Sequence, residues 1–242
     1  MRTGWRAFWL LIACFSVPLP SSAQSPQPGN VVSVRELLIP PKALRAFEQG
    51  IQLLAKKDPA GSLRHFQTAV AEYAGYYEAY DRIGAADLKL WRITDAEEAF
   101  RKSIEVSGGQ YAHPLFALGA ILDTQRNFAE AMTVIRKGLD LEPDSWTGEY
   151  YQGLAQFGLD RLEEAEKSVR EALRIKTNFP EAHLLLADIH SREEDYSSLV
   201  NDLNEYLKLA PNGPASERAK ALREAALAKM LQSKTNTVLA QP

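Results

Sequence analysis

The residues that could bind a metal or transfer protons are few in this sequence. The four histidines are His65, His113, His183 and His190, and only the last two fall on one predicted helix. Seven residues of helix separate their backbones by roughly 10 Å, which is too far for two ligands of one metal without a third element. We therefore expect no metal site and interpret the histidines as solvated or helix-capping side chains.

Sequence patterns that mark catalysis or cofactor binding are also missing. Gly108 and Gly109 are not followed by the Lys-Ser or Lys-Thr pair of a phosphate-binding loop, and no nucleophile elbow is present. Adjacent glutamates occur near predicted helix starts, where the helix dipole favours negative charge. These pairs are Glu97-Glu98, Glu163-Glu164 and Glu193-Glu194. The sequence therefore predicts no catalytic residues, no enzymatic activity and no cofactor.

The first residues, Met1 to Ala23, have the three parts of a secretory signal. Arg2 and Arg6 precede an apolar run of 11 residues, and small residues lie at Ser21-Ser22-Ala23. Because a membrane-spanning helix needs about 20 apolar residues, this run indicates a cleaved signal. We expect cleavage after Ala23 and an exported protein, either periplasmic or secreted, with association to the outer membrane left open.

The only cysteine, Cys14, lies inside the same segment and leaves a second interpretation open. Leu11-Ile12-Ala13-Cys14 is similar to the lipid-attachment sequence of bacterial lipoproteins. The short apolar stretch before Cys14 and the apolar residues after it favour soluble export. A protein cleaved after Ala23 would contain no thiol, which excludes disulfides and cysteine-based metal sites.

Composition and charge narrow the class of protein. Of the 242 residues, 45% are hydrophobic and 24% are charged, as expected for a folded soluble chain. The formal net charge is −3 and becomes more acidic without the segment that holds Arg2 and Arg6. An acidic protein lacks the basic face expected of a nucleic-acid or anionic-lipid binder, so we expect no nucleic-acid partner. We also expect no transmembrane helix in the chain that remains after cleavage.

A period of 34 or 35 residues dominates the rest of the chain. Small residues recur at Gly50, Gly84, Gly119, Gly153 and Ala187. A second series of small residues follows in step at Ser62, Ala96, Ala131 and Ala165, with Leu199 departing in the last copy. Large side chains recur at Phe66, Phe100, Ile135, Val169 and Leu203. Each copy has room for two helices of about 12 residues, so the pattern predicts five helical hairpins.

The copy from Ala112 to Pro143 resembles a tetratricopeptide repeat. The resemblance rests on Leu115, Leu118, Gly119, Leu122, Ala131, Ile135, Gly138 and Pro143. It extends over roughly Pro41 to Gln232 and implies an all-α, right-handed α-solenoid of five hairpins with a C-terminal capping helix. The predicted segments are a signal peptide (1–23), a linker or extended segment (24–40), repeats at about 43–76, 77–111, 112–145, 146–179 and 180–213, a capping helix (214–232) and a disordered tail (233–242).

The resemblance also implies that the first helices line a concave groove. Residues placed on this groove by the family pattern are Phe116, Tyr150, Leu154, Phe157, Leu184 and Asp188. They predict an apolar shelf for a peptide or helix of a partner protein. The fourth repeat has Glu149, Gln152 and Gln156 where the family places apolar residues. Tyr150, Leu154 and Phe157 could therefore replace the missing packing row instead of forming a groove.

The function implied by the resemblance is protein binding without catalysis, as a scaffold or assembly factor in the bacterial cell envelope. One alternative is a lipoprotein that acts as a pilot or outer-membrane assembly subunit, which the state of Cys14 would distinguish. Another is an enzyme or a carbohydrate-binding accessory protein that uses the aromatic shelf. The identity of the partner protein, its pathway and the oligomeric state are not encoded in a recognisable pattern.

Overall fold

A computed structural model describes residues 38–239, with side chains through residue 232. The predicted signal peptide, most of the predicted linker and residues 240–242 lie outside this range. Helices account for the secondary structure of the described residues, without strands. In chain order the helices are α1 Pro41–Ala55, α2 Pro59–Glu72, α3 Tyr77–Lys89, α4 Ile93–Val106, α5 Ala112–Thr124, α6 Phe128–Leu141, α7 Trp146–Gly158, α8 Leu162–Ile175, α9 Pro180–Arg192, α10 Tyr196–Leu209 and α11 Ser216–Leu239.

The first ten helices form five consecutive hairpins, one in each interval predicted from the sequence period. The first hairpin begins slightly earlier than expected, because Pro41 occupies the first turn of α1, where a missing backbone N–H costs nothing. The fold class expected from the sequence, an α-solenoid of five hairpins followed by a terminal helix, is confirmed.

Each hairpin turn contains one non-glycine residue in the left-handed backbone region. These residues have φ between 59° and 63° and are Lys57, Trp91, Arg126, Asp160 and Glu194. The turn is fixed by backbone hydrogen bonds to the end of the preceding helix. In the first hairpin, for example, the N–H of Lys57 donates to Leu54 O at 2.9 Å and that of Asp58 donates to Leu53 O at 2.9 Å. Such bonds satisfy the last carbonyl groups of a helix.

The chain divides into two compact units, Met1–Gln125 and Arg126–Pro242. The boundary falls inside the third hairpin, between α5 and α6. The repeat that matches the family pattern best in the sequence therefore contributes its first helix to unit 1 and its second helix to unit 2.

In unit 1, the small residues of the first helices lie directly against large side chains of the second helices. A Cβ atom added to Gly50 would lie 2.5 Å from the Phe66 ring, and one added to Gly84 would lie 2.8 Å from the Phe100 ring. Both rings are fully buried. Ile39 packs beside the core of the first hairpin, whereas residues 31–37 of the predicted extended segment lie outside the described range.

In unit 2, the same pairing uses an aliphatic side chain, because a Cβ atom at Gly153 would lie 2.6 Å from Val169 Cγ2. The last hairpin has Ala187 at this position, packed in a cluster with Leu199 and Leu203. Ala219 and Ala226 of α11 join that cluster, so α11 covers the last repeat as predicted for a capping helix. However, α11 ends at Leu239 and not at 232, so the prediction of a disordered tail from 233 is wrong for 233–239.

The close approach at Gly84 generates a stability prediction. Substitution Gly84→Ala places a methyl group within the contact distance of the Phe100 ring, and overpacking of this kind destabilises by about 1–3 kcal/mol. Urea unfolding should show the loss as a lower midpoint with an unchanged slope. A second substitution, Phe100→Leu, makes room and should cost less in the Gly84→Ala background than alone. An unchanged midpoint for Gly84→Ala would contradict the packing.

Candidate functional site

Two of the six residues predicted to line a groove are buried. Phe116 lies in unit 1 and is 3% exposed, and Tyr150 lies in unit 2 and is 0% exposed. The Tyr150 ring contacts the Phe179 ring edge to face, with centroids 4.7 Å apart. Tyr150 therefore belongs to the packing of unit 2. This agrees with the second interpretation of the fourth repeat, in which Tyr150 replaces a missing packing residue and does not line a groove. Neither side chain is available to a partner protein.

The other four predicted residues, Leu154, Phe157, Leu184 and Asp188, are half-buried and lie in unit 2. Leu154 and Phe157 are three residues apart on α7, and Leu184 and Asp188 are four apart on α9, so each pair shares one side of its helix. Arg192 continues the α9 row by four more residues and meets Phe157. We call these five residues the α7–α9 face.

Arg192 joins the two helices of this face. Its guanidinium lies 4.1 Å from the centroid of the Phe157 ring, a cation–π contact. Its Nη1 donates to Asp160 Oδ1 at 2.7 Å and to the carbonyl oxygen of Phe157 at 3.3 Å. Three contacts to the end of α7 fix both the arginine and the ring. Arg192 was not among the predicted groove residues, although its spacing of four from Asp188 places it in the same row.

The α7–α9 face is also tied to the terminal helix. Arg218 Nη2 of α11 donates to Asp188 Oδ1 at 3.0 Å. Both charged groups remain partly exposed, with 47% of the Arg218 side chain and 25% of the Asp188 side chain accessible to solvent. Asp188 is therefore part of an ion pair at the edge of the face.

The unusual polar residues of the fourth repeat have defined places in unit 2. Gln152 Nε2 donates to Ser168 Oγ at 3.1 Å, linking α7 to α8. Gln156 is only 6% exposed. Burial, followed by repulsion from Glu171, raises the pKa of Glu149. These residues are accommodated inside the hairpin, while the aromatic residues fill the space beside it.

An aromatic cluster continues from Tyr150 toward the end of α8. The Trp146 and Phe179 rings meet edge to face, with centroids 4.9 Å apart. Lys176 Nζ lies 3.6 Å from the centroid of Trp146 and 4.9 Å from that of Phe179. The lysine therefore lies over both rings of this cluster.

Unit 1 contains a separate polar cluster around Asp81, which is 0% exposed. His113 Nδ1 lies 2.6 Å from Asp81 Oδ1, and the Tyr111 hydroxyl donates to Asp81 Oδ2 at 3.5 Å. Arg82 Nη1 lies 3.9 Å from the same oxygen. Burial and then the charge of Asp81 raise the pKa of Tyr111. Paired groups satisfy this buried carboxylate and link α3 to α5.

The interpretation of the histidines as solvated or helix-capping side chains is wrong for His190. It is 4% exposed, and its ring bridges Asp202 Oδ2 at 2.7 Å and Glu166 Oε1 at 3.3 Å. His183 Nδ1 lies 3.8 Å from the other oxygen of Asp202. Within the described part of the chain, no group of three or more His, Cys, Asp or Glu residues has an arrangement that could hold a metal ion.

Two further carboxyl groups of unit 1 have poor solvation. Burial, followed by the negative charge of Asp95, raises the pKa of Asp87 to about 6, although Arg92 opposes the shift. Burial alone raises the pKa of Asp123 to about 7, and its buried Oδ1 has no hydrogen-bond partner. These groups lower the stability of unit 1 when they ionise.

Comparison with known proteins identifies the class of protein. A family model described as "Tetratricopeptide repeat" matches residues 112–145. The human protein O-mannosyl-transferase TMTC1 is 25% identical over 141 residues, which cover 57% of this chain and only 16% of that relative. This chain therefore spans a small part of the relative's length. Across the described residues, no helix has both the length and the apolar content to span a membrane.

Solved structures share the fold. MamA (residues 41 to the end) from Desulfovibrio magneticus RS-1 has a TM-score of 0.62 and 18% identity, covering 73% of this chain and 99% of that one. YrrB, described as "a TPR protein with an unusual peptide-binding site", has a TM-score of 0.58 and 14% identity, covering 74% and 92%. Together with the five hairpins, these matches show that the chain has the fold of tetratricopeptide-repeat proteins.

The raised pKa of Asp123 predicts a pH-dependent stability. In the unfolded chain an aspartate titrates near 3.9, so between pH 4 and about 7 the folded protein binds the extra proton. The free energy of unfolding therefore falls as the pH rises through this range, by at most about 4 kcal/mol from this residue. Asp123→Asn should unfold at a higher temperature than the parent protein at pH 8, and the difference should shrink toward pH 4.

A matched control for this measurement is Asp140→Asn, which changes an exposed aspartate of α6 and should alter neither the melting temperature nor its pH dependence. Equal responses of the two variants would show that burial of Asp123 does not control the titration.

Proposed function

We propose that this chain is a non-catalytic scaffold or assembly factor of the bacterial cell envelope, and that its α7–α9 face binds a peptide or helix of a partner protein. The observation that carries the proposal is the presence of three half-buried apolar side chains, Leu154, Phe157 and Leu184, on one surface of unit 2. Repeat proteins commonly bind partners through such rows on successive helices.

The chemistry of the face suits a protein partner. An aromatic ring and an arginine are the side chains most often found at the energetic centre of protein interfaces. Here Phe157 and Arg192 hold one another in place at 4.1 Å, so little side-chain freedom remains to be lost on binding. Charged groups at Asp160, Asp188 and Arg218 border the apolar row, which resembles the polar rim of an interface.

The comparisons support the same type of function by analogy of fold. YrrB shares the fold and is described as having a peptide-binding site. Because identity to that structure is only 14%, the support extends to the kind of ligand and not to particular residues.

The proposed location in the cell envelope is supported by the sequence from Met1 to Ala23, which has the charged, apolar and small-residue parts of an export signal. These residues lie outside the described structure. Their processing can be measured directly.

Binding at the α7–α9 face predicts a position-specific capture. A photoreactive amino acid at Leu154 should crosslink a discrete protein in native envelopes, because this side chain lies on the proposed contact surface. The same reactive group at Lys167, an exposed position of α8, should not capture that protein. Adding Leu184→Ser to the Leu154 probe should abolish the crosslink, as measured by mass spectrometry of the captured chains.

Stability measurements separate loss of binding from loss of folding. Leu184→Ser should cost about 1 kcal/mol, as is usual for a half-buried side chain. Tyr150→Ala should cost about 3–5 kcal/mol, because it empties a fully buried aromatic site. Capture that persists with Leu184→Ser, or that is equally strong from Lys167, would rule out the face as the binding site.

Export predicts a mature protein that begins at Gln24 and contains no cysteine. N-terminal sequencing and intact-mass measurement of protein purified from the native host should give this end. A lipid-modified Cys14 as the first residue would contradict soluble export and support the alternative of a lipoprotein in outer-membrane assembly. An unprocessed Met1 would contradict both routes.

A further inference from the structure

One buried histidine connects the fourth repeat to the fifth. His190 of α9 is 4% exposed, and its ring contacts both α8 of the fourth hairpin and α10 of the fifth. Its Nδ1 lies 2.7 Å from Asp202 Oδ2, and its Nε2 lies 3.3 Å from Glu166 Oε1. We call these two contacts the His190 link. They join three helices of unit 2 through a single side chain.

The His190 link requires a charged ring. An ionised carboxylate has no proton to donate, so each ring nitrogen must supply an N–H, and only the imidazolium carries two. Burial acts against ionisation of Glu166, but the hydrogen bond and charge of Arg170 and then the bond from His190 lower the pKa of that carboxyl. The geometry therefore assigns the doubly protonated ring to the arrangement observed here.

Polar groups on α8, α9 and α10 surround the two ends of the link. At the α8 end, Arg170 Nε donates to Glu166 Oε1 at 2.8 Å, so this oxygen is shared by the arginine and the histidine. At the α10 end, His183 Nδ1 lies 3.8 Å from Asp202 Oδ1. Each carboxylate of the link thus has a second nitrogen group beside it.

The remaining charges near this end of α9 belong to α7 and to the turn before α10. Asp160, which follows α7, accepts a hydrogen bond from Arg192 at 2.7 Å. Asp195 is the N-cap of α10. Hydrogen bonds from Ser198, and to a smaller extent the charge of His190, lower the pKa of Asp195. These groups complete the set that faces the link from the helices packed on α9, which are α7, α8 and α10.

Loss of one ring proton breaks the link between the two repeats. The single remaining N–H keeps the shorter bond, which joins His190 to Asp202 inside the fifth hairpin. Nε2 then presents a lone pair to Glu166 Oε1, and two acceptors cannot form a hydrogen bond. The contact that depends on the second proton is therefore the one between α8 and α9.

The same end of α9 also holds the α7–α9 face together. Arg192 follows His190 by two residues and contacts the Phe157 ring and Asp160. His190 fastens this end of α9 to α8, and Arg192 fastens it to α7. Both helices of the fourth repeat are thus tied to the fifth repeat within three residues of chain, so a change at His190 reaches the geometry of the face.

We propose that His190 is a pH-dependent latch that holds the fifth repeat on the fourth and thereby controls the α7–α9 face. At acidic pH the charged ring closes the link and the face keeps the geometry described above. As the pH rises, the ring loses a proton, the bond to Glu166 is lost, and Arg192 is held less firmly against Phe157. The stability that the link contributes is present while the ring is charged and is lost with rising pH. Regulation of the face rests on its proposed binding function, whereas the latch is a property of the protein alone.

The charge on the ring can be measured by nitrogen-15 NMR of protein labelled at histidine, because the imidazolium and the neutral ring give different spectra. The His190 signals are assigned by their absence from His190→Gln. We expect two protonated ring nitrogens at about pH 5.5 and one at about pH 9, a range that brackets the ordinary titration of histidine. A ring that keeps one charge state throughout this range overturns the proposal.

Amide hydrogen exchange reports whether the fifth repeat loosens. The protection of α9 and α10 is divided by that of α6, which lies in the same unit but in another hairpin, so that the general effect of pH on exchange cancels. Between about pH 5.5 and about pH 9 this ratio should fall by about tenfold or more, as is typical when a hydrogen bond to a charged group is lost. A constant ratio contradicts the latch.

Three variants identify the group responsible. His190→Gln cannot carry a charge, so its exchange ratio should not change with pH. Glu166→Gln can accept from the charged ring and donate to the neutral one, so it should fold and show a smaller change than the parent protein. His65→Gln removes a half-buried histidine of α2 in unit 1 and should respond as the parent does. Equal responses of the parent and His190→Gln overturn the proposal.

A measurement with the partner separates the latch from the proposed function. Capture by a photoreactive amino acid at Leu154 should be stronger at acidic than at alkaline pH in the parent protein and independent of pH in His190→Gln. Exchange that depends on pH without any captured protein supports the latch and contradicts the proposed function. Capture with exchange that is independent of pH overturns the latch and leaves the proposed function standing.

Discussion

The fold depends on the close contact between a small residue of one helix and a large side chain of the next. Gly50 against Phe66, Gly84 against Phe100 and Gly153 against Val169 repeat this contact in three hairpins. Each pair lets two helices approach to a distance at which their other apolar residues also meet, so burial along the whole hairpin follows from one position. Since three hairpins share this contact, the remaining surface of their helices is free to vary in sequence.

The sequence departs most from the repeat pattern in the fourth repeat. There the same aromatic residues are candidates both for helix packing and for the binding surface. Tyr150 is taken up by packing against Phe179, and Lys176 covers Trp146. What remains exposed is a smaller surface of Leu154, Phe157 and Leu184, held by Arg192 and bordered by ion pairs. A rigid face of this size favours a short segment of a partner protein over an extended interface.

The period of small and large residues was sufficient to predict the hairpins, because these residues determine helix contacts that are local in sequence. The exposure of individual groove residues was not predictable in the same way. Phe116 and Tyr150 are buried, whereas Phe47 and Leu184 at the equivalent positions are half-buried, and Tyr150 is covered by the Phe179 ring. The partners of His190 and Arg192 come from helices more than ten residues away, and a single sequence carries no signal for such pairs. The end of α11 was placed too early because the last polar residues lack a helix-ending pattern.

The left-handed turns have a consequence for how such a chain can evolve. At φ near 60° glycine would be more stable than any other residue by roughly 1 kcal/mol, yet all five turns carry a side chain. Each turn therefore gives up a little stability and in return displays one residue per repeat at an exposed position. Their backbones are nearly identical, yet two of the five side chains are basic (Lys57 and Arg126), two are acidic (Asp160 and Glu194) and one is aromatic (Trp91). Selection can therefore change the chemistry of the exposed turn residue in each repeat, one residue at a time, without disturbing the packing that defines the fold.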